Sequence, residues 1–181
     1  MKSSTTLIFF LLIPALTVLS NEEPLWMRYP AISPDGQSIV FSYQGDLYKV
    51  SSNGGNATML TAHVGYDFNP VWSKNGKYVA FASDRHGNFD VYITPAQGGE
   101  PTRLTFHSAD EIPSSFTPDE QYILFRSSIL DNKHNIQFPS GSLPELYKVP
   151  VNGGRVSQVL TTPAIEAEYD SQGEKLIYHD K

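Results

Sequence analysis

Residues Tyr66–His107 read YDFNPVWSKNGKYVAFASDRHGNFDVYITPAQGGEPTRLTFH, and this stretch places the rest of the chain. Pro70 to Ser73 is a short strand ending in an aromatic, and Lys74-Asn75-Gly76 is a tight turn with glycine where positive φ is tolerated. Tyr78 to Ser83 is a second strand, and Asp84-Arg85-His86-Gly87-Asn88 is a polar turn. Phe89 to Thr94 is a third, Gln97-Gly98-Gly99 a further turn, and Thr102 to Thr105 a fourth. The spacing predicts one four-stranded antiparallel meander.

The same pattern recurs on either side. Before it, Tyr29 to Ser33, Pro34-Asp35-Gly36, Ser38 to Ser42, Asp46 to Val50, Asn53-Gly54-Gly55 and Thr58 to Thr61 form a first copy. After it, a third copy begins near Ile112, with Phe116 matching Trp72 and Ile32, and with Pro118-Asp119-Glu120 in place of Pro34-Asp35-Gly36. Its second strand is Tyr122 to Arg126. An insertion from Ser127 to Leu143 then interrupts it, and Phe138-Pro139-Ser140-Gly141 within that insertion cannot continue a sheet. The pattern resumes with Glu145 to Val149, Asn152-Gly153-Gly154 and Ser157 to Leu160. A fourth copy has Tyr169 in the Trp72 position, a Gln172-Gly173 turn and a second strand at Lys175 to Tyr178.

Phe41, Phe81, Phe125 and Tyr178 hold equivalent places, separated by 40, 44 and 53 residues. A four-stranded repeat of about 40 to 45 residues predicts propeller blades. The second strands (Ile39-Val40-Phe41, Val79-Ala80-Phe81, Ile123-Leu124-Phe125, Leu176-Ile177-Tyr178) are apolar on both faces, as a sheet sandwiched between two others requires. The fold class expected is all-β: an incomplete β-propeller of about three and a half four-stranded antiparallel blades. The blades fall at about 29–64, 65–108, 109–163 and, in part, 164–181, after a linker at 21–28. Three and a half blades cannot close a ring, so both end sheets are expected to present apolar faces to water.

Lys2 followed by the apolar run Leu7 to Leu19, with small residues up to Ser20, reads as a secretory signal peptide over residues 1–20. The run is too short to cross a bilayer. A secreted or periplasmic location follows as the expectation, with no membrane partner after cleavage. The chain has no cysteine, so packing alone must stabilise it. Its formal charge of −6 becomes −7 once Lys2 is removed, which disfavours a nucleic-acid partner.

Pro30 with Ser33-Pro34-Asp35-Gly36 and Val40-Phe41, then Pro70-Val71-Trp72-Ser73 with Ala80-Phe81, Ser83-Asp84-Arg85, Val91-Tyr92 and Leu104-Thr105, resemble the TolB-type propeller repeat. TolB itself carries a small α/β domain between leader and propeller, whereas here blades start almost at once. The chain therefore looks most like the N-terminal propeller region of tricorn-type serine peptidases. That resemblance implies a noncatalytic propeller that guides or filters peptides, with catalysis in a C-terminal region this sequence does not contain. The alternative is a TolB-like periplasmic interaction propeller without peptidase activity. Partners are then a peptide or protein substrate, or downstream domains of the same polypeptide.

No G-x-S-x-G, His-Glu-x-x-His or calcium loop occurs, so no catalytic residue, metal or cofactor is assigned. Asp84, Arg85, His86 and Asn88 form a turn projecting both signs of charge and are candidates for touching a peptide or partner. His63 and His107 follow equivalent fourth strands and belong on one end of adjacent blades. They read either as capping or packing groups, which copying of a repeat favours, or as a shared ligand or partner surface. Asp46, Asp90 and Glu145 recur at third-strand starts, where carboxylates can accept turn N–H groups. The insertion is a further candidate for binding, and Asn56-Ala57-Thr58 is a formal glycosylation sequon.

Overall fold

The computed structural model describes residues 26–129 and 143–179. The leader and the centre of the insertion fall outside the described residues, and no helix occurs among those described. Fourteen strands run in chain order as three four-stranded sheets and one two-stranded sheet, each antiparallel and each ordered as in the sequence. The first blade is β1 (Arg28–Ile32), β2 (Ser38–Tyr43), β3 (Asp46–Ser51) and β4 (Thr58–Met59). The second is β5 (Asp67–Trp72), β6 (Tyr78–Ser83), β7 (Asp90–Pro95) and β8 (Thr102–Arg103). The third is β9 (Glu111–Phe116), β10 (Tyr122–Ser127), β11 (Glu145–Pro150) and β12 (Ser157–Pro163). β13 (Glu166–Tyr169) and β14 (Leu176–His179) pair as the fourth sheet. The first strands β1, β5, β9 and β13 contact one another in succession, so they line a common axis while the fourth strands lie outermost.

The alternation of side chains along each second strand explains why these strands are apolar throughout. Val79 and Phe81 point into the core shared with the first blade, alongside Val40 and Leu47. Ala80, one residue between them, points the other way and packs with Phe116, Ile123 and Phe125 of the third blade. Leu124 in turn faces the fourth sheet, with Leu146, Ala164 and Ala167. Phe81 and Phe125 are fully buried, each burial contributing on the order of 2 to 3 kcal/mol by removing apolar surface from water. On β14 the residue in Leu124's place is Ile177, and it is 71% exposed.

The first strands begin earlier than prolines at their centres suggest. β5 starts at Asp67 rather than Pro70, because a bulge between Phe68 and Val71 carries the strand across Asn69-Pro70. The same irregularity recurs at Tyr29-Pro30 and between the partners Pro113 and Ser115. Tyr29 and Asn69 adopt φ of 51° and 54° there, and Asn69 Nδ2 donates to Pro113 O at 2.7 Å, tying the second blade to the third. Other bonds of this kind join neighbours: Ser42 Oγ to Asp67 O (2.7 Å), Trp72 Nε1 to Ala31 O (3.0 Å) and Ser115 Oγ to Ala167 O (2.8 Å). Glu120 stands where Gly36 and Gly76 stand, and it shares their left-handed backbone with φ of 57°. Its carboxylate accepts the Asn75 N–H at 2.5 Å, a bond from the second blade to the third.

Candidate functional site

First and third strands start at the end of a blade where second and fourth strands finish. The turn between strands two and three and the linker to the next blade must therefore emerge together there. The β6–β7 turn, the β4–β5 linker with His63 and the β8–β9 linker with His107 all lie at this end. The six residues expected from the sequence to touch a partner are brought to one face, but half of them are occupied in holding it together.

Asp84 Oδ1 accepts the Tyr66 N–H at 2.6 Å, which docks the turn onto the linker after His63. Arg85 is drawn inward: its Nη2 lies 2.7 Å from Asp67 Oδ2, its Nε donates to Ser83 Oγ at 2.8 Å, and its guanidinium sits 4.8 Å above the Tyr92 ring. Its side chain is only 8% exposed. Asn88 Nδ2 donates to His107 O (2.9 Å) and Ala109 O (3.0 Å), clamping the following linker. The exposed residues of the set are the histidines. His86 stacks on Tyr92, with Nδ1 2.5 Å from its hydroxyl. His63 Nδ1 accepts the Gly65 N–H (2.9 Å) and His107 Nδ1 the Ala109 N–H (3.0 Å), so each ring stiffens its own linker and, when neutral, carries its proton on Nε2. Gly65 is required beside the turn, since a Cβ there would lie 2.9 Å from Asp84 Oδ1 and 3.0 Å from Arg85 Cα.

The recurrent third-strand acids differ in their partners. Asp46 Oδ1 accepts the His63 N–H (3.0 Å), Asp90 faces Arg103 Nη2 at 2.8 Å, and Glu145 accepts the Tyr147 hydroxyl at 2.5 Å. Two further acids, Asp67 and Glu111, start the first strands of the second and third blades and are fully buried. Sequence reasoning passed over them, although an acid at the start of two successive first strands was a visible signal. Burial pushes the Asp90 carboxyl up against the pull of Arg103, and burial pushes Glu111 up to about 7, with the neighbouring Asp90 charge adding to it. Burial likewise raises the Tyr92 phenol. Among the described residues no three His, Asp or Glu side chains gather closely enough to hold a metal ion.

Beside His63 lies an open groove of about 660 Å³, lined by Trp26, Arg28, Tyr43, Gln44, Val64 and Tyr66 among others. Trp26 is 76% exposed, and the Arg28 guanidinium lies 5.3 Å from its ring. Below the groove an aromatic row continues toward the axis, with Phe68 5.8 Å from Tyr66, 5.1 Å from Tyr29 and 4.8 Å from Phe89. The groove can hold an extended chain by apolar contact and by donors to carbonyl or carboxylate oxygens.

Residues 24–181 match the family described as Tricorn protease N-terminal beta propeller domain. The chain belongs to that family. As a solved fold, this tricorn-type propeller is similar to putative TolB from Agrobacterium tumefaciens, with a TM-score of 0.69, 24% identity, and coverage of 82% of this chain and 52% of that one. It is similar to TolB from Acinetobacter baumannii (TM-score 0.67, 21% identity, 84% and 37% covered) and to the tricorn protease (0.67, 20%, 82% and 14%). The tricorn-type propeller thus spans about half of the Agrobacterium protein and 14% of the tricorn protease. At these identities the likeness is one of fold.

Proposed function

We propose that this tricorn-type propeller is the noncatalytic part of an exported serine peptidase and that it receives extended peptide segments at the end where its linkers and β2–β3-type turns meet. The observation that carries this reading is the open groove between Trp26, Arg28 and His63. An exposed indole and Val64 offer apolar contact to side chains, and Arg28 and the His63 ring offer donors to backbone carbonyls or a terminal carboxylate. Binding surfaces on rigid scaffolds concentrate in such connecting segments. The net charge of −6 favours peptides over polyanions.

Fluorescence anisotropy with labelled, unstructured peptides from a casein digest tests the reading. Trp26→Ala and Arg28→Ala are expected each to weaken binding by about tenfold, the loss of roughly 1.4 kcal/mol. Unchanged affinity in both variants excludes the groove. Absence of peptide binding, together with capture of a folded partner at the same face, selects the interaction-propeller alternative, which the similarity to TolB structures supports at the level of fold.

A further inference from the structure

At the first two junctions between blades, the first residue of the incoming blade's first strand is hung on the turn of the preceding blade. Asp67 N donates to Gly45 O and Glu111 N to Phe89 O, both at 2.7 Å. The second of these contacts brings Glu111 beside Asp90 of the third strand β7, both fully buried. At the first junction the acids are each matched on one oxygen, Asp67 Oδ2 by Arg85 and Asp46 Oδ1 by the His63 amide.

At the second junction they are not. The third-blade position matching Arg85 in Ser83-Asp84-Arg85 is Ile129 in Ser127-Ser128-Ile129, and it packs against the apolar core. Glu111 has therefore lost its cation while remaining fully buried. Neither of its oxygens meets an aligned donor, and the same is true of both Asp90 oxygens and of Ser127 Oγ, which lies across the β9–β10 ladder from Glu111.

Arg103 on β8 sits 2.8 Å from Asp90 and, among the described residues, is the one cation in an ion pair with either acid. His86 on the β6–β7 turn acts on Asp90 through space, and beyond Tyr92 the Arg85–Asp67 pair is already neutralised. The Thr105 hydroxyl and the His107 backbone N–H lie within reach of Glu111 and pull its carboxyl down against the larger effect of burial, while Glu145 on β11 is engaged by Tyr147. Two acceptor-only groups side by side with one cation are satisfied when one of them carries a proton and donates it to the other.

We propose that Asp90 and Glu111 share a single proton across the junction of the second and third blades, and that this proton is a latch whose loss around neutrality loosens the linker carrying His107. The latch is independent of the peptide-binding reading. Its direction follows from burial. An unfolded chain releases the Glu111 proton in the ordinary carboxylate range, whereas the folded chain keeps it until about 7, so stability falls as pH rises between those values and is lowest above the second.

Urea unfolding of the chain from about pH 5 to about pH 8.5 tests this, with the folded-to-unfolded ratio expected to drop by about a hundredfold over that interval. Glu111→Gln, whose amide supplies a permanent donor to Asp90, and Ile129→Arg, which restores the cation present at the first junction, are each expected to remove the drop. Carbon-detected NMR titration of the Glu111 carboxyl reads the same proton without any substitution, and a midpoint near neutrality is expected. A midpoint in the ordinary glutamate range, or an equal drop in wild type and in both variants, overturns the proposal.

Discussion

With its side chain 8% exposed and its guanidinium 2.7 Å from a fully buried carboxylate, Arg85 is committed to the interior. The sequence shows a charged residue in a polar turn, which reads as solvated or partner-facing. The fold instead folds it back over Tyr92 and Phe81. Removing it strands the fully buried Asp67 without its cation, so Arg85→Ala is expected to cost about 3 to 5 kcal/mol in urea unfolding, and Asp67→Leu combined with Arg85→Met much less. If the single variant costs no more than the double, the pair is not a buried charge pair in the folded chain. Gly65 makes a second residue-scale case. Its backbone is not left-handed, so glycine is needed there for space alone, and Gly65→Ala is expected to push the 84–88 turn outward at about 1 to 3 kcal/mol. Gly36→Ala is the contrast: nothing lies within 4 Å of the added carbon, but φ is +71°, and the expected cost is about 1 kcal/mol of backbone strain.

At the scale of elements, the turn between first and second strands repeats one hydrogen-bond pattern. Ser33 Oγ donates to Asp35 Oδ1 (2.6 Å), which also accepts the Gln37 N–H (3.0 Å), and Thr117, Asp119 and Gln121 do the same in the third blade (2.6 and 3.1 Å). The Ser33 hydroxyl first and the Gln37 amide second hold the Asp35 carboxyl below its ordinary value, and Thr117 and Gln121 act likewise on Asp119. A lowered carboxylate contributes stability that is present above its unfolded value and is lost as pH falls through its folded one. The acid limb of the unfolding curve is therefore expected to become shallower in an Asp35→Asn, Asp119→Asn variant, measured by urea midpoints from about pH 5 to about pH 2. An unchanged limb removes these turns from the acid response. These turns were legible in Ser33-Pro34-Asp35-Gly36, because Asx chemistry is local. The starts of the first strands were not: a proline ordinarily ends a ladder, and only the bulge with Asn69 at positive φ lets β5 run on both sides of Pro70.

For the molecule as a whole, among the described residues no sheet covers the outer face of β14, where Ile177 is 71% exposed. Apolar groups on a sheet face are a template for association. Ile177→Lys is expected to reduce self-association of the chain, seen as a lower mass in light scattering at equal concentration, with little change in unfolding midpoint. Equal masses for wild type and variant show that this face is not where copies meet. The opposite end is treated differently: among the described residues no sheet lies before the first blade, yet Phe41, in the place of Phe81, is only 7% exposed, its ring stacked 6.0 Å from Tyr48.

The sequence by itself determined the repeat, the four-strand order within each blade and the two-faced burial of the second strands. All three depend on contacts close in the chain or on the period of two. What tertiary structure decided was the fate of each charged group at the linker end. Arg85 turned inward, Asn88 became a clamp, and Asp90 and Glu111 met across a junction. Those outcomes depend on which blade lies beside which, and the partner of a buried charge is set by that stacking rather than by its neighbours in sequence.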